Sequence, residues 1–266
     1  MQSPLLKEAY KAISKIIKEC QKTVKEDEFC SFFCREKEQH SFQVLSAGEY
    51  ILKGLSEPLD EARADIYRFA ALMHDVGRFK EIKLLMNDKS VRHDHGLYSA
   101  QMLTEMGYTD MSLHLAILHH GHMLNDFYTD KDYLALSDEK KKEAENLLFF
   151  VRDADKIANL KLFMDKPETG KMEESWLPKR KQVGSEIIQA FTQQRIANYR
   201  GILGVEDWYF ARLSWIFELH YIPSFDFIRQ YHLVDRNLDF LKDYVDDAAF
   251  LDFCRTQLNH FMEKGV

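Results

Sequence analysis

The stretch FAALMHDVGRF, residues 69–79, carries an adjacent His-Asp pair at the end of a helical pattern. Over 59–74, apolar residues recur at helical spacing at Ala62, Ile66, Phe69 and Met73. A charged Asp75 beside His74 at the end of a buried stripe is costly unless it is paired or metal-bound. In the structural alternative, Asp75 caps a turn and His74 is a hydrogen-bonded core histidine.

Helical periodicity extends from this stretch over the whole chain, whereas strand patterns are almost absent. Only 11 Gly and 5 Pro occur among 266 residues, which favours long helices over an all-β fold. We predict an all-α fold: a compact multi-helix bundle with extra C-terminal helices, forming a single domain over 1–266. Helices are expected at 4–20, 38–54, 59–74, 95–106, 110–122, 137–162, 183–199, 206–220 and 236–263. The stretch 80–93 is expected to be a loop, and 165–180, with Pro167, Gly170 and Pro178, is the best lid candidate.

Composition and charge restrict the function classes. The net charge is −7, and an acidic chain is a poor binder of nucleic-acid polymers. The N-terminus lacks the apolar core of a signal peptide, and the densest apolar run, 147–151, is too short to cross a membrane. With only four cysteines and no sign of secretion, we expect a cytoplasmic protein without a membrane partner.

Histidines are concentrated in the first half of the chain. Eight of the 11 lie between positions 40 and 122: His40, His74, His93, His95, His114, His119, His120 and His122. Imidazoles and carboxylates together suit iron, manganese or zinc. In LHLAILHHGH, residues 113–122, the helical period directs His120 inward. Taken alone, paired histidines at a helix end are weak evidence, since they are often solvated.

Two carboxylates interrupt an apolar helix in LLFFVRDADKIANL, residues 147–160. Asp153 and Asp155 fall on different faces, and both faces are apolar. Periodicity therefore cannot choose between them, but at least one is expected to be buried and to need a cation.

Two other patterns carry less weight. Cys30, Cys34 and His40 loosely resemble a zinc knuckle, but the second ligand pair is missing. Gly201 and Gly204 lack the preceding strand that a phosphate-binding loop needs.

The order His40, His74-Asp75, His95, His119-His120, Asp155 resembles the HD-domain superfamily of metal-dependent phosphohydrolases. The surrounding strings match too: EQHSFQVLSAGEYIL, AALMHDVGRF, DHGLYSAQML, AILHHG and VRDADKIANL. The motifs cover about 37–160. The helices of about 181–266 look like the C-terminal extension of an HD subfamily with HDVGRF and RDADK strings.

The resemblance implies two divalent metal ions, of iron, manganese, zinc, magnesium or nickel. The implied ligands of the first ion are His40, His74, Asp75 and Asp155, and those of the second are His95, His119 and His120, with Asp75 bridging both. Asp155 is preferred to Asp153 because family members place the ligand in an Ala-Asp-basic-apolar string. His93, His114 and His122 are expected not to be ligands, while Asp94 is a candidate to orient the His95 imidazole.

The resemblance also implies a reaction: hydrolysis of a phosphoester or phosphoanhydride by a metal-activated hydroxide. Catalytic roles fall to Asp75, Arg78 and Lys156, of which Arg78 and Lys156 would bind substrate phosphate. The structural alternatives are an Arg78 that pairs with Asp88 or Glu81 and a solvated or salt-bridged Lys156.

The expected partner is a small phosphorylated, nucleotide-like substrate, and the sequence leaves the oligomeric state open. Two other functions stay open: a di-iron oxygenase with the same ligand set, and a non-catalytic metal-binding signalling module.

Overall fold

Helices account for the regular structure of this computed structural model, which describes residues 3–88, 93–166 and 177–265. Within those ranges there is no strand, which confirms the all-α prediction. None of the described helices is both long and apolar enough to span a lipid bilayer. The lid expected over 165–180 falls mainly on 167–176, outside the described residues.

The helices fall into two compact units, Met1–Asp155 and Lys156–Val266. The expectation of a single domain over 1–266 stays a prediction. Helix α9 (Asp138–Asp165) contributes to both units, since the division falls between Asp155 and Lys156. The first unit contains α1 (Pro4–Thr23), α2 (Glu28–Gly54), α3 (Glu61–Met73), α4 (Arg78–Leu85), α5 (His95–Glu105), α6 (Met111–His119), α7 (Leu124–Tyr128), α8 (Lys131–Leu134) and most of α9 (Asp138–Asp165).

The second unit continues from the end of α9. Its described helices are α10 (Ser185–Gln193), α11 (Val205–Leu213), α12 (Ile222–Gln230), α13 (Leu233–Leu241) and α14 (Ala248–Lys264), with short 3-10 helices at Tyr199–Gly201 and Ser214–Glu218. Aromatic rings fill its core: Phe191 meets Phe210 and Phe217 edge to face, and Phe210 meets Phe250 in the same way. Such contacts add about 0.5–1.5 kcal/mol each beyond the burial of apolar area.

Aspartates begin many of the helices. A side-chain oxygen of each of Asp27, Asp60, Asp94, Asp110 and Asp247 accepts a hydrogen bond from the backbone N–H three residues further on. This satisfies one of the donors that a helix leaves unpaired in its first turn, and each such cap contributes about 1 kcal/mol. Asp94 thereby fixes the start of α5 at His95.

Several observed helices differ from the sequence predictions, most clearly in three places. The loop prediction for 80–93 is wrong over its first part, because α4 covers Arg78–Leu85 and buries Phe79 and Ile82 on one face. The single helix expected over 236–263 is two helices, because Asp247 caps a new helix after a turn. Helix α2 begins ten residues earlier than predicted, at Glu28, where Asp27 is its cap.

Candidate metal centre

Helix ends bring most of the candidate ligands together within the first unit. His74 ends α3, Asp75 follows it in the turn before α4, His95 begins α5 and His120 ends α6. The remaining two lie inside helices, His40 in α2 and Asp155 in α9. Four imidazoles follow one another edge to face, with ring centroids 5.5 Å apart for His40 and His74, 5.0 Å for His74 and His120, and 5.1 Å for His120 and His95.

The two carboxylate oxygens of Asp75 face two different pairs of imidazoles. Oδ2 lies 3.8 Å from Nε2 of His40 and 3.8 Å from Nε2 of His74. Oδ1 lies 3.4 Å from Nε2 of His95 and 3.4 Å from Nε2 of His120. The ligand atoms form two groups that could each hold a metal ion, His40–His74–Asp75 and Asp75–His95–His120, and they share Asp75.

Two of these imidazoles have a fixed tautomer. Nδ1–H of His74 donates to the carbonyl oxygen of Ala71 over 2.9 Å, and Nδ1–H of His120 donates to that of Ile117 over 2.7 Å. Both acceptors lie three residues earlier in the same helix. Because the proton is on Nδ1, the Nε2 lone pair of each ring is left to face Asp75, as in metal sites whose histidines donate their other N–H to a carbonyl group.

Asp155 faces the first group. Its Oδ1 lies 2.9 Å from Nε2 of His40 and 3.7 Å from Nε2 of His74. Asp153, the other carboxylate of the sequence string, is fully buried elsewhere on the same helix turn.

Several buried polar atoms of the centre lack a hydrogen-bond partner. Among the described residues these include Nε2 of His74 and Oδ1 of Asp75, both with almost no contact with solvent. Leaving such atoms unpaired costs about 1–3 kcal/mol each. A divalent cation would satisfy lone pairs from imidazole nitrogen and carboxylate oxygen at once, so the donor set fits a metal such as zinc, iron or manganese.

The charge states of the centre also suit metal binding. Burial by itself would raise the pKa of Asp75, but Lys37, His74 and Arg78 outweigh it and hold that pKa well below its ordinary value. The pKa of Asp155 is likewise well below its ordinary value, because His40 and His74 offset the effect of burial. Both carboxylates are therefore ionised at neutral pH, as ligands must be.

Two imidazoles are held neutral. Burial lowers the pKa of His95 to about 2, with Arg78, His120 and Lys37 adding to the effect of burial against the opposing charge of Asp75. Burial and Lys37 lower the pKa of His40. The pKa of His74 is raised, because Asp75 and Asp155 outweigh its burial. Neutral His40 and His95 present the lone pairs that a metal ion requires.

Close backbone approaches position His95. A Cβ on Gly77 would lie 2.3 Å from the carbonyl oxygen of His95 and 2.5 Å from the backbone nitrogen of Ser99. The backbone N–H of Gly77 also donates to the Oγ of Ser99 over 2.8 Å. A Cβ on Gly96 would lie 2.3 Å from the carbonyl oxygen of Leu118. Glycine thus lets the turn after Asp75 and the end of α6 pack directly against the start of α5.

His119 is not brought into either group with Asp75. Its Nε2 lies 3.0 Å from Oδ2 of Asp130, and its Nδ1 lies 3.4 Å from Nδ1 of His122. His122 in turn places Nε2 3.3 Å from Oδ2 of Asp94, the residue that caps α5. The ligand role expected for His119 thus has no support from this geometry, because the last turn of α6 directs the neighbouring His120 to Asp75 instead.

The two basic residues expected at the substrate occupy different surroundings. Nη1 of Arg78 lies 2.7 Å from Oε2 of Glu81, and its Nε lies 3.6 Å from Oδ1 of Asp75. The ion pair with Glu81 is the one that the sequence analysis gave as the alternative to phosphate binding. The guanidinium is nevertheless partly buried beside Asp75. Lys156 belongs to the second unit and forms an ion pair with Glu218 there. Its contact with substrate stays a prediction.

Two basic residues of the centre were missed from the sequence. Nζ of Lys37 lies 3.0 Å from Oδ2 of Asp75. Nη1 of Arg152 donates to the carbonyl oxygens that end α6. Each lies three residues before a candidate ligand on the same helix, Lys37 before His40 and Arg152 before Asp155, but this spacing gives no indication of the partner that each one contacts.

The histidines expected not to be ligands have other contacts. Nδ1 of His93 lies 3.2 Å from the Tyr98 hydroxyl, and Nε2 of His114 lies 2.5 Å from the carbonyl oxygen of Tyr108. Neither takes part in the two groups around Asp75.

Comparison with protein families finds a match to the HD domain over residues 38–160. This range begins two residues before His40 and ends five residues after Asp155, so it spans all the candidate ligands. Comparisons with curated proteins and with solved structures find no match.

Proposed function

We propose that this protein is a metal-dependent phosphohydrolase, since residues 38–160 match the HD domain. Its substrate is a small phosphoester or phosphoanhydride, of a nucleotide or a related molecule. The proposed ligands of a first divalent ion are His40, His74, Asp75 and Asp155. Those of a second ion are Asp75, His95 and His120.

The observation that carries this proposal is the position of Asp75 between two imidazole pairs. One of its oxygens lies 3.8 Å from the Nε2 atoms of His40 and His74, and the other lies 3.4 Å from those of His95 and His120. Two ions held by these residues would lower the pKa of bound water and polarise phosphate oxygens. A carboxylate that bridges two ligand groups supports a two-ion centre over a one-ion centre.

The charges around this centre favour an anionic substrate once divalent ions are bound. Only two of the proposed ligands, Asp75 and Asp155, are anionic, and their charge is partly offset by Lys37 and Arg78. With divalent ions bound, the centre is net cationic and attracts an anionic phosphate. Fixed positive charge also stabilises the negative charge that builds up on phosphate oxygens in the transition state. The partly buried guanidinium of Arg78 is the proposed contact to those oxygens.

The proposal is tested by metal content and hydrolysis together. Purified protein would be reconstituted with Mn²⁺ and screened anaerobically against mononucleotides, cyclic nucleotides, dinucleotides and simple phosphoesters, with product release followed by chromatography. We expect metal-dependent hydrolysis, and we expect Asp75→Ala to lose bound metal and hydrolysis together. His120→Ala is expected to lose one of two bound ions, whereas His114→Ala, a histidine outside both groups, keeps both.

Three outcomes would contradict the proposal. Full hydrolysis by Asp75→Ala would show that the centre is not the catalytic site. Oxygen consumption by the iron-loaded protein without hydrolysis of any phosphoester would favour the di-iron oxygenase. A protein that keeps two tightly bound ions and converts none of these substrates would favour a metal-binding signalling module.

A further inference from the structure

Lys37 reaches the centre from one helical turn before His40. Its Nζ donates a hydrogen bond of 3.0 Å to Oδ2 of Asp75, the oxygen that also faces His40 and His74. The Asp75 side chain is 4% exposed and that of Lys37 is 17% exposed. The Lys37 side chain is thus partly exposed, whereas the carboxylate that its ammonium group contacts is buried.

Asp75 is the only ion-pair partner of Lys37 within residues 3–88, 93–166 and 177–265. Arg78, the other cation beside Asp75, has a second carboxylate close by, since it pairs with Glu81 over 2.7 Å. Among the described residues, Asp75 is therefore the carboxylate that the ammonium group of Lys37 compensates. A buried carboxylate needs such compensation whenever no metal ion is present.

The ammonium group and a metal ion would use the same oxygen. A divalent ion held by Asp75 and two imidazoles lies about 2.0–2.2 Å from its ligand atoms. An ammonium group hydrogen-bonded to that oxygen occupies one of its lone pairs and repels a dication a few ångströms away. Binding of the ion and retention of the Lys37 hydrogen bond therefore oppose each other.

We propose that Lys37 is a built-in counter-cation of this centre: it neutralises Asp75 in the metal-free protein and competes with the first divalent ion for Oδ2. The inference rests on the metal site of the proposed function, but it concerns ion binding and not hydrolysis. Displaced from Oδ2, the ammonium group can reach water, because the Lys37 side chain is partly exposed.

The test compares Lys37→Met with Lys53→Met in the full chain. Lys53 is an exposed lysine of the same helix, so its replacement makes the same change in net charge. After removal of metal with a chelator, Mn²⁺ and Zn²⁺ would be titrated in competition with a chromophoric chelator, without any phosphoester present. Removing the repulsion is expected to tighten the first binding step about tenfold or more in Lys37→Met. The same variant should unfold several degrees lower than wild type when a chelator keeps it metal-free.

Lys37→Met is thus expected to bind metal more tightly and to be less stable when metal-free. A lysine with a purely structural role would lower stability without raising the affinity for metal. Lys37→Arg keeps the charge and is expected to bind metal like the wild type, and Lys53→Met should change neither quantity. Unchanged or weaker metal binding by Lys37→Met overturns the inference, even if that variant is less stable. A wild-type protein that binds metal but hydrolyses nothing refutes the proposed function and leaves the role of Lys37 standing, whereas a protein that binds no divalent ion refutes both.

Discussion

The guanidinium of Arg152 donates a hydrogen bond of 2.6 Å to the carbonyl oxygen of His122. The same Nη1 lies 3.0 Å from the carbonyl oxygen of His120 and 3.3 Å from that of His119. One charged nitrogen, with two N–H groups, thus lies within hydrogen-bond distance of three carbonyl oxygens at the C-terminus of α6, where a cation also interacts favourably with the helix dipole. Arg152 thereby fixes the backbone that carries His120.

We predict that Arg152→Met weakens this end of α6. Hydrogen bonds to a charged group contribute about 1.5–3 kcal/mol, so the free energy of unfolding of the chelator-treated protein should fall by about 3 kcal/mol. The ion proposed at Asp75, His95 and His120 should be lost before the other proposed ion, which metal analysis would show. Arg63→Met, at an exposed position of α3, is the control. An unfolding free energy equal to that of the wild type would contradict this role of Arg152.

The Gly77→Ala variant tests the close packing behind His95. The added Cβ would lie 2.3 Å from the carbonyl oxygen of His95, so the start of α5 must move. Overpacking of this kind costs about 1–3 kcal/mol, and we expect weaker binding of the second ion as well. Gly107→Ala is a matched comparison, because Gly107 has a φ of +87° but no neighbouring atoms around its missing Cβ. It should lower stability by about 1 kcal/mol and leave metal binding unchanged. Normal metal affinity in Gly77→Ala would refute the prediction.

Asp155→Asn and Asp153→Asn separate the two carboxylates that the sequence pattern leaves equivalent. Both changes remove one charge from α9 at nearly constant volume. Only Asp155 faces His40, with Oδ1 2.9 Å from Nε2, so its replacement should lower the affinity for the first ion by tenfold or more. Asp153→Asn is expected to affect stability but not metal affinity. Isothermal titration with Zn²⁺ measures both variants, and the reverse pattern would assign the ligand to Asp153.

Glu186 gives the second unit a pH-dependent contribution to stability. Its carboxylate accepts hydrogen bonds from Arg195 and from the backbone of Asn198, and the Arg195 contact is the main reason that the pKa of Glu186 is lowered from 4.5. Since the folded pKa lies below the unfolded one, this contribution is present above about pH 4.5 and is lost as the pH falls through the folded pKa. Glu186→Gln should therefore be less stable than wild type at pH 7, and the difference should shrink below pH 4.5.

Urea unfolding between pH 3 and pH 7 measures that difference. Glu263→Gln, at an exposed position of α14, is the control and should follow the wild-type curve. A difference between Glu186→Gln and wild type that stays constant over this range would contradict the linkage.

The sequence predicts the helical class and several of the residues that cluster around Asp75, because both depend on local patterns. Helical spacing and the ordered His and Asp motifs are visible without any tertiary contact. Helix α4 was missed because its apolar face contains only Phe79 and Ile82, too few for a period to stand out beside the polar residues that follow. The break before α14 was missed for a similar reason: Asp247 acts as a cap, but the pattern around it continues as an apolar helix.

The other misses arise from contacts between residues far apart in the chain. Spacing along one helix predicts neither the hydrogen bond from Lys37 to Asp75 nor the hydrogen bond from Arg152 to the carbonyl oxygen of His120 at the end of α6. The pair His119-His120 illustrates the same limit, since the period directs His120 inward but gives no indication that His119 meets Asp130.

The hydrogen bonds from His74 and His120 to carbonyl groups of their own helices affect how an ion is acquired. Each acceptor, Ala71 or Ile117, is three residues earlier in the same helix, so the nitrogen offered to an ion is determined as soon as that helix forms. Neither ring has to turn over or move its proton when metal arrives. Two of the four proposed imidazole ligands therefore already have the tautomer that metal binding requires. The entropy cost of ordering these two rings belongs to the folding of the chain and not to metal binding.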